Sequence, residues 1–450
     1  MISTDNNLIS IYCDKIRFVA FCIMVFFLPI ASSFIEGAFG IIILTYIVQR
    51  TAFYRQFFVV NIGASKSIDW KKLWDGFLIS YKPVPTPLNK PIGMYMLIAF
   101  VSIFVSSYPG SSLKAFIFQL AQATFTYFLF VETVKTKKRL SVIVGLLLAS
   151  ATLLSLNGIF QYFARVEYIR HHPINDGRVT STFGHANNLA GYLIAVLPVF
   201  FSLSAINGWI NKAPSQLNHS LGKLASKPVS YIFLLVFLLA MMCLGLTYSR
   251  GPIIIFCLSM LFFVWRKPKY LLGVFLVVSL FATIFFAKMY EERTTNIHDK
   301  AEGVIGLAKR MIYWEEAVLM IKDYPVLGVG LNNYSMTGVL YKINWGGYPH
   351  NGYLHIAAEI GILGLMAFIW IWVCFINFVN VKIRLIDEPF LKKMLMGIVV
   401  GLAAFFAWAF FDTNFHDDRL ETLMWLLVAI SVSLINIFVS SPKSEISSVG

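Results

Sequence analysis

Long apolar runs dominate the chain, and its polar residues fall between those runs rather than in a repeating amphipathic pattern. Crossing a hydrocarbon core of ~30 Å takes ~20 helical residues, and about twelve runs of roughly that length recur. The expected spans are 17–33, 35–50, 91–107, 113–134, 140–163, 186–207, 229–248, 251–266, 270–288, 351–380, 392–412 and 421–440. Backbone groups facing lipid must pair within their own segment or in a closed barrel, and runs this long exclude the barrel. The pattern predicts an all-α polytopic membrane protein, a single membrane domain over residues 1–450.

Composition sharpens that picture. Of 450 residues, 58% are hydrophobic and only 13% charged, which excludes a soluble domain. The 37 lysines and arginines gather at the ends of alternate spans, so the positive-inside rule places the N- and C-termini in the cytoplasm. In that orientation 51–90 is a cytoplasmic linker, extended by Pro83, Pro85, Pro87 and Pro91, and 289–350 is a long periplasmic loop. The net charge of +14 is mostly juxtamembrane, as at Lys71-Lys72, Lys137-Lys138-Arg139 and Lys392-Lys393. Such residues read topology and membrane lipids rather than nucleic acid. The 5 cysteines have no paired spacing and read as small hydrophobes.

The chemistry-bearing residues collect on the non-cytoplasmic side. Arg178 opens a run from Gly177 to Gly191 that carries Thr180, Ser181, Thr182 and His185 and leads through Asn187 and Asn188 into the sixth span. An arginine beside a helix N-terminus is an anion site, although an ordinary capped helix start would look the same. Arg250 sits between two apolar runs at the outer interface, where a guanidinium serves a ligand or snorkels to water. In the long loop, Leu307, Met311, Trp314, Val318 and Ile321 recur at helical spacing and predict an amphipathic helix over 302–324. Arg310 shares a face with Tyr313 and Trp314, an arrangement that suits phosphate above an aromatic floor for a sugar; pairing with Glu315 or Glu316 is the alternative.

His350, followed by Asn351, stands at the start of the tenth span, where a neutral imidazole can meet both a lipid head group and an acceptor hydroxyl. Glu359 is turned to the opposite helix face from His350 and is matched instead by His355, four residues before it, as a structural pair. Gly361 and Gly364 predict close helix packing. The turn 411–419 contains His416, Asp417 and Asp418 but lacks ligand spacing, so no metal is expected there.

Taken together, Gly177-Arg178 through Asn187-Asn188-Leu-Ala-Gly191, Thr247-Tyr-Ser-Arg250-Gly, Arg310-Met-Ile-Tyr-Trp314 with Pro325-Val-Leu-Gly-Val-Gly330, and Pro349-His350-Asn351-x-x-Leu354 with Glu359, Gly361 and Gly364 resemble the O-antigen ligase and polymerase family of bacterial envelope glycosyltransferases. The resemblance covers most of 140–380. It implies a twelve-helix enzyme of the bacterial inner membrane, with its active site facing the periplasm and no cofactor. The donor it implies is an undecaprenyl pyrophosphate-linked glycan, and the acceptor lipid A-core or another glycan. By the same resemblance His350 is expected to be the catalytic residue, acting as base or positioning the acceptor, and Arg178, Arg250 and Arg310 to hold the pyrophosphate. His185, Asn187, Asn188, Tyr313 and Trp314 are supporting residues, as are Asn351, His355 and Glu359. Ligase is favoured over O-antigen polymerase. A polysaccharide or lipid transporter would instead require charged or helix-breaking residues at the midplane of several spans, and beyond His355 and Glu359 these are scarce.

Overall fold

The computed structural model describes residues 2–61, 70–174, 177–204, 227–266, 297–341, 343 and 347–439. Among the described residues helices cover most of each expected apolar run, and no strand occurs there. In chain order they are α1 (Ile2–Phe27), α2 (Ser32–Asn61), α3 (Trp70–Tyr81), α4 (Asn89–Val105), α5 (Pro109–Thr133), α6 (Lys137–Ala164), α7 (Ala186–Ser204), α8 (Lys227–Leu246), α9 (Arg250–Arg266), α10 (Ile297–Asp323), α11 (Tyr334–Tyr341), α12 (Gly352–Lys382), α13 (Pro389–Trp408) and α14 (Asp418–Val439). Seven of these are long and apolar enough to cross a membrane, and α4 and parts of α8 and α9 add shorter apolar helices. The expected span at 270–288 lies outside the described residues.

Burial sorts the helices into a centre and a rim. All the side chains of α7 except Asn187 and Asn188 are buried, and α7 packs against α8, α9 and α13. Small residues make the tightest of these contacts possible: a β-carbon on Gly397 or Gly401 of α13 would run into the backbone of α7 at Pro198 and Ala195. The centre continues into α14, whose apolar side chains are almost all buried, Trp425 among them. The cytoplasmic linker expected over 51–90 is more ordered than an extended strap. Helix α2 runs on to Asn61 and α3 covers Trp70–Tyr81, so among the described linker residues the extended chain is 82–86.

The break in α12 positions the site. Gly361 has φ 75 and ψ 177, a conformation open only to glycine, and it frees backbone groups inside the helix. Those groups are answered by the glycine turn after α10. The Val329 amide donates to the Ala358 carbonyl at 2.9 Å, the Gly330 amide to the Glu359 carbonyl at 2.8 Å, and the Ile362 amide to the Pro325 carbonyl at 2.9 Å. A β-carbon on Gly361 would overlap the Val326 carbonyl. The close packing expected at Gly361 is therefore against the 325–330 turn rather than against another helix.

Helix α10 docks on α12 through only part of the face its spacing predicts, with Ile321 packed against the buried cluster and Trp314 half-buried. Ala317 and Met320 are buried, whereas Met311 is 65% and Val318 38% exposed. The side chain of Leu307 lies outside the described set. The interlock of the 325–330 turn sets the rotation of α10, overriding its local apolar periodicity. Gly361→Ala is expected to destabilise the protein by about 2 kcal/mol or more, read as a lowered thermal midpoint of the detergent-purified chain. Gly364→Ala, in ordinary helical geometry, is expected to do less.

Candidate functional site

Residues from four distant stretches meet at one end of the bundle. Helix α12 begins there, with Asn351 as its N-cap: the Asn351 side-chain oxygen accepts from the Tyr353 and Leu354 amides, both at 3.0 Å. The Gly352 amide donates to the Ala409 and Asp412 carbonyls at the end of α13. This contact brings the 409–416 turn against the start of α12. His350, just before the cap, has φ 47, a left-handed backbone that a histidine adopts only when its surroundings hold it there.

Asp412 is the junction of the site. Its Oδ1 lies 3.2 Å from His350 Nδ1, and its Oδ2 accepts from Asn187 Nδ2 at 3.0 Å. Asn187 Oδ1 in turn accepts from Arg178 Nη2 at 3.0 Å and from the Ser249 hydroxyl at 2.9 Å. Arg178 is further held by Nη2 to Ser249 Oγ at 2.8 Å and by Nε to the Thr247 carbonyl at 3.0 Å. A continuous chain thus runs from His350 through Asp412 and Asn187 to Arg178, and the 247–249 turn that anchors Arg178 delivers Arg250 as the next residue. On the other side, the rings of Tyr313 and His350 lie 6.0 Å apart with planes inclined by 29°. Arg310 is one helical turn before Tyr313.

The expected site residues divide into three groups. His350, Arg178, Asn187 and Tyr313 form the connected cluster, with Arg250 beside it and Arg310 on the same helix as Tyr313. Asn188 points away from it and donates to Asp417 Oδ2 at 2.7 Å, which in turn pairs with Arg419. His185 is exposed in the loop before α7. Trp314 is half-buried, and Glu316 is fully buried against Gly338.

His355 and Glu359 make a separate, deeper pair, with Nε2 and Oε1 3.2 Å apart and side chains only 6% and 7% exposed. Glu359 Oε1 also accepts from the Tyr334 amide at 3.2 Å. The His350 side chain is 41% exposed, so of the two histidines it is the one open to a substrate. Sequence reasoning missed Asp412 and Ser249. Asp412 stands in the turn set aside as a poor metal site, and nothing in its local pattern announces a histidine 62 residues away.

Between the two histidine groups lies an aromatic layer. The His416 ring is 4.4 Å from that of Tyr348 and 5.4 Å from that of His355. Burial, and next the nearby His355, push the His416 pKa down to about 4.

Among the described residues the fold is all-helical, with seven helices of membrane-crossing length and composition, which is the class of a multi-pass membrane protein. Residues 234–369 match the family model described as O-antigen ligase, which supports the O-antigen ligase family and, in general terms, membrane glycosyltransferase-like activity. No curated protein matches the chain. Arg250, Arg310, His350, His355 and Glu359 fall within the matched stretch, while Arg178, Asn187 and Asp412 lie outside it.

The His416 shift has a definite sign. An unfolded histidine titrates near ~6.5, so between that value and about 4 the unfolded chain binds a proton that the folded one refuses. Stability is expected to fall as pH drops through this window and to be unaffected by His416 above it. The thermal midpoint of His416→Gln should accordingly drop less between pH 7 and pH 5 than that of the unaltered protein.

Proposed function

We propose that the protein is an O-antigen ligase-like glycosyltransferase that moves a glycan from an undecaprenyl pyrophosphate carrier to an acceptor hydroxyl, with lipid A-core as the favoured acceptor. The observation that carries this reading is the chain His350–Asp412–Asn187–Arg178, which couples a base to a phosphate-binding cation across four parts of the sequence. With Nδ1 engaged by Asp412, the His350 ring is oriented and Nε2 is left to take a proton, as in other carboxylate-supported histidine bases.

The step is a direct displacement. The acceptor oxygen bonds to the anomeric carbon while its proton passes to His350, the bond from that carbon to the pyrophosphate breaks, and the configuration inverts. The leaving pyrophosphate gathers negative charge, and a fixed array of guanidinium groups stabilises such charge without reorganising. Arg178 fits that task because Thr247, Asn187 and Ser249 hold it in place. Arg250 supplies a second cation beside it and Arg310 a third from α10. Tyr313, against the His350 ring, offers an aromatic surface for a sugar. The membrane face is assigned by charge: with positive segments in the cytoplasm, the His350 end faces the periplasm of the bacterial inner membrane.

His350→Ala is expected to lower transfer by about 10²–10⁴-fold, with protein level and lipid-linked donor intact; wild-type transfer in that variant removes His350 from the mechanism. Asp412→Asn should cost at least about ten-fold by releasing the ring and its tautomer, with a shifted pH profile for transfer. In a deletion strain, polymerised carrier-linked glycan accumulating beside bare lipid A-core marks a ligase. A core capped by a single repeat would mark the polymerase instead.

A further inference from the structure

The opposite end of the bundle holds a second polar site, to which neither the family match nor the proposed transfer assigns a role. The Pro29 carbonyl, just before α2, accepts from Thr182 and so belongs to the His350 end. Arg50 lies eighteen residues along α2 from Ser32, ~27 Å away at a helical rise of ~1.5 Å. There a cavity of about 540 Å³ opens between α1, α2, the end of α5 and the extended 82–85 segment. That volume is within the range of small-molecule sites, about 300–1,000 Å³.

Its lining is cationic on one side and apolar on the other. Arg50, Lys82 and Lys135 face a single carboxylate, Glu132, while Phe53, Ile79 and Val84 supply apolar wall. Arg50 Nη2 pairs with Glu132 Oε1 at 2.7 Å, and the guanidinium lies 5.0 Å from the Tyr46 ring. Arg50 Nε is buried without a hydrogen-bond partner among the described residues. The floor is rigid: Gln49 donates to Ser10 Oγ at 2.8 Å and accepts from the fully buried Arg17, which also donates to Thr133 at 2.8 Å.

The neighbouring helix shows what solvent this end meets. Trp70, Trp74, Phe77 and Leu78 of α3 are all exposed, with Lys71 exposed between them. Exposed tryptophans beside lysine on a short helix are the signature of a segment lying in a membrane interface. Helix α3 ends at Tyr81 and feeds directly into the Lys82–Pro85 wall of the cavity. A site at head-group depth with excess positive charge and an apolar side suits a phosphate carried on a lipid.

We propose that this cavity seats the phosphate head group of an anionic phospholipid, with Arg50, Lys82 and Lys135 around the phosphate and the Phe53–Ile79–Val84 wall along the acyl chains. This site is independent of the glycosyl-transfer reading and stands or falls by binding alone.

The test uses the full-length protein purified in detergent and given phosphatidylglycerol, phosphatidylcholine or inorganic phosphate. Retained lipid is read by native mass spectrometry, with the melting temperature measured alongside. Phosphatidylglycerol should be retained and should raise the melting temperature, whereas phosphatidylcholine should do neither. Lys82→Gln should weaken retention about five-fold, and Lys82→Gln with Lys135→Gln by more than that. The single variant serves if the double variant melts early without lipid. Equal retention of the two lipids, or retention unchanged in a well-folded Lys82→Gln protein, overturns the proposal. Inorganic phosphate alone raising the melting temperature as far as phosphatidylglycerol does would also overturn it, by assigning the cavity to free phosphate.

Discussion

A backbone interrupted inside an apolar bundle must have its freed carbonyls and amides paired by protein, because nothing else at that depth can pair them. The break of α12 at Gly361 creates this demand, and the 325–330 turn meets it through Ala358, Glu359 and Ile362. The exchange ties the end of α10 to the middle of α12. Because α10 is anchored at that point, Tyr313 is brought to the ring of His350, and Arg310 is carried on the same rigid helix. The glycines are there for this interlock: Gly330 and Gly328 adopt positive φ, and side chains on them would strike Ser106 and the Glu359 backbone.

Around that interlock, polar groups are arranged in two tiers with different character. The upper tier, His350 with Asp412, Asn187, Ser249 and Arg178, is partly open and joined by hydrogen bonds of 2.8 to 3.2 Å. The lower tier, His355 with Glu359, is almost fully enclosed and bound into the same backbone exchange through the Tyr334 amide. A buried polar pair packed among backbone groups lends rigidity, while an imidazole at the boundary with water is open to other molecules. The two histidines, five residues apart, thus divide along a physical line. One is open to a reactant, and the other braces the helix start that holds the first in its left-handed backbone.

The two ends of the bundle use arginine differently. At the His350 end Arg178 is partly open and held by the oxygens of Thr247, Asn187 and Ser249, with the Asp412 carboxylate one side chain further along. At the far end Arg17 and Arg139 share Asp14, and Arg50 takes Glu132, while Lys82 and Lys135 line the cavity beside that pair. A guanidinium held by neutral oxygens is positioned to meet an anion, while one paired with a carboxylate also ties helices together.

Sequence by itself determined the helical class, the stretches where the seven membrane-length apolar helices lie, and the His355–Glu359 pair. All three depend on local spacing: a run of apolar residues long enough to cross, or two side chains four residues apart on one helix. The broad location of the candidate site was also legible, because arginine and histidine are rare in an apolar chain and cluster between spans. Only the tertiary structure decided that Asp412 answers His350, that Ser249 and Asn187 clamp Arg178, that Asn351 serves as a helix cap, and that α10 turns Ala317 and Met320 rather than Met311 and Val318 to the bundle. Asp412 and His350 are 62 positions apart and Ser249 and Arg178 are 71, while the others depend on loop geometry or on a helix rotated by its anchor. Local periodicity carries no information about which distant backbone will fill a break, and packing alone supplies it.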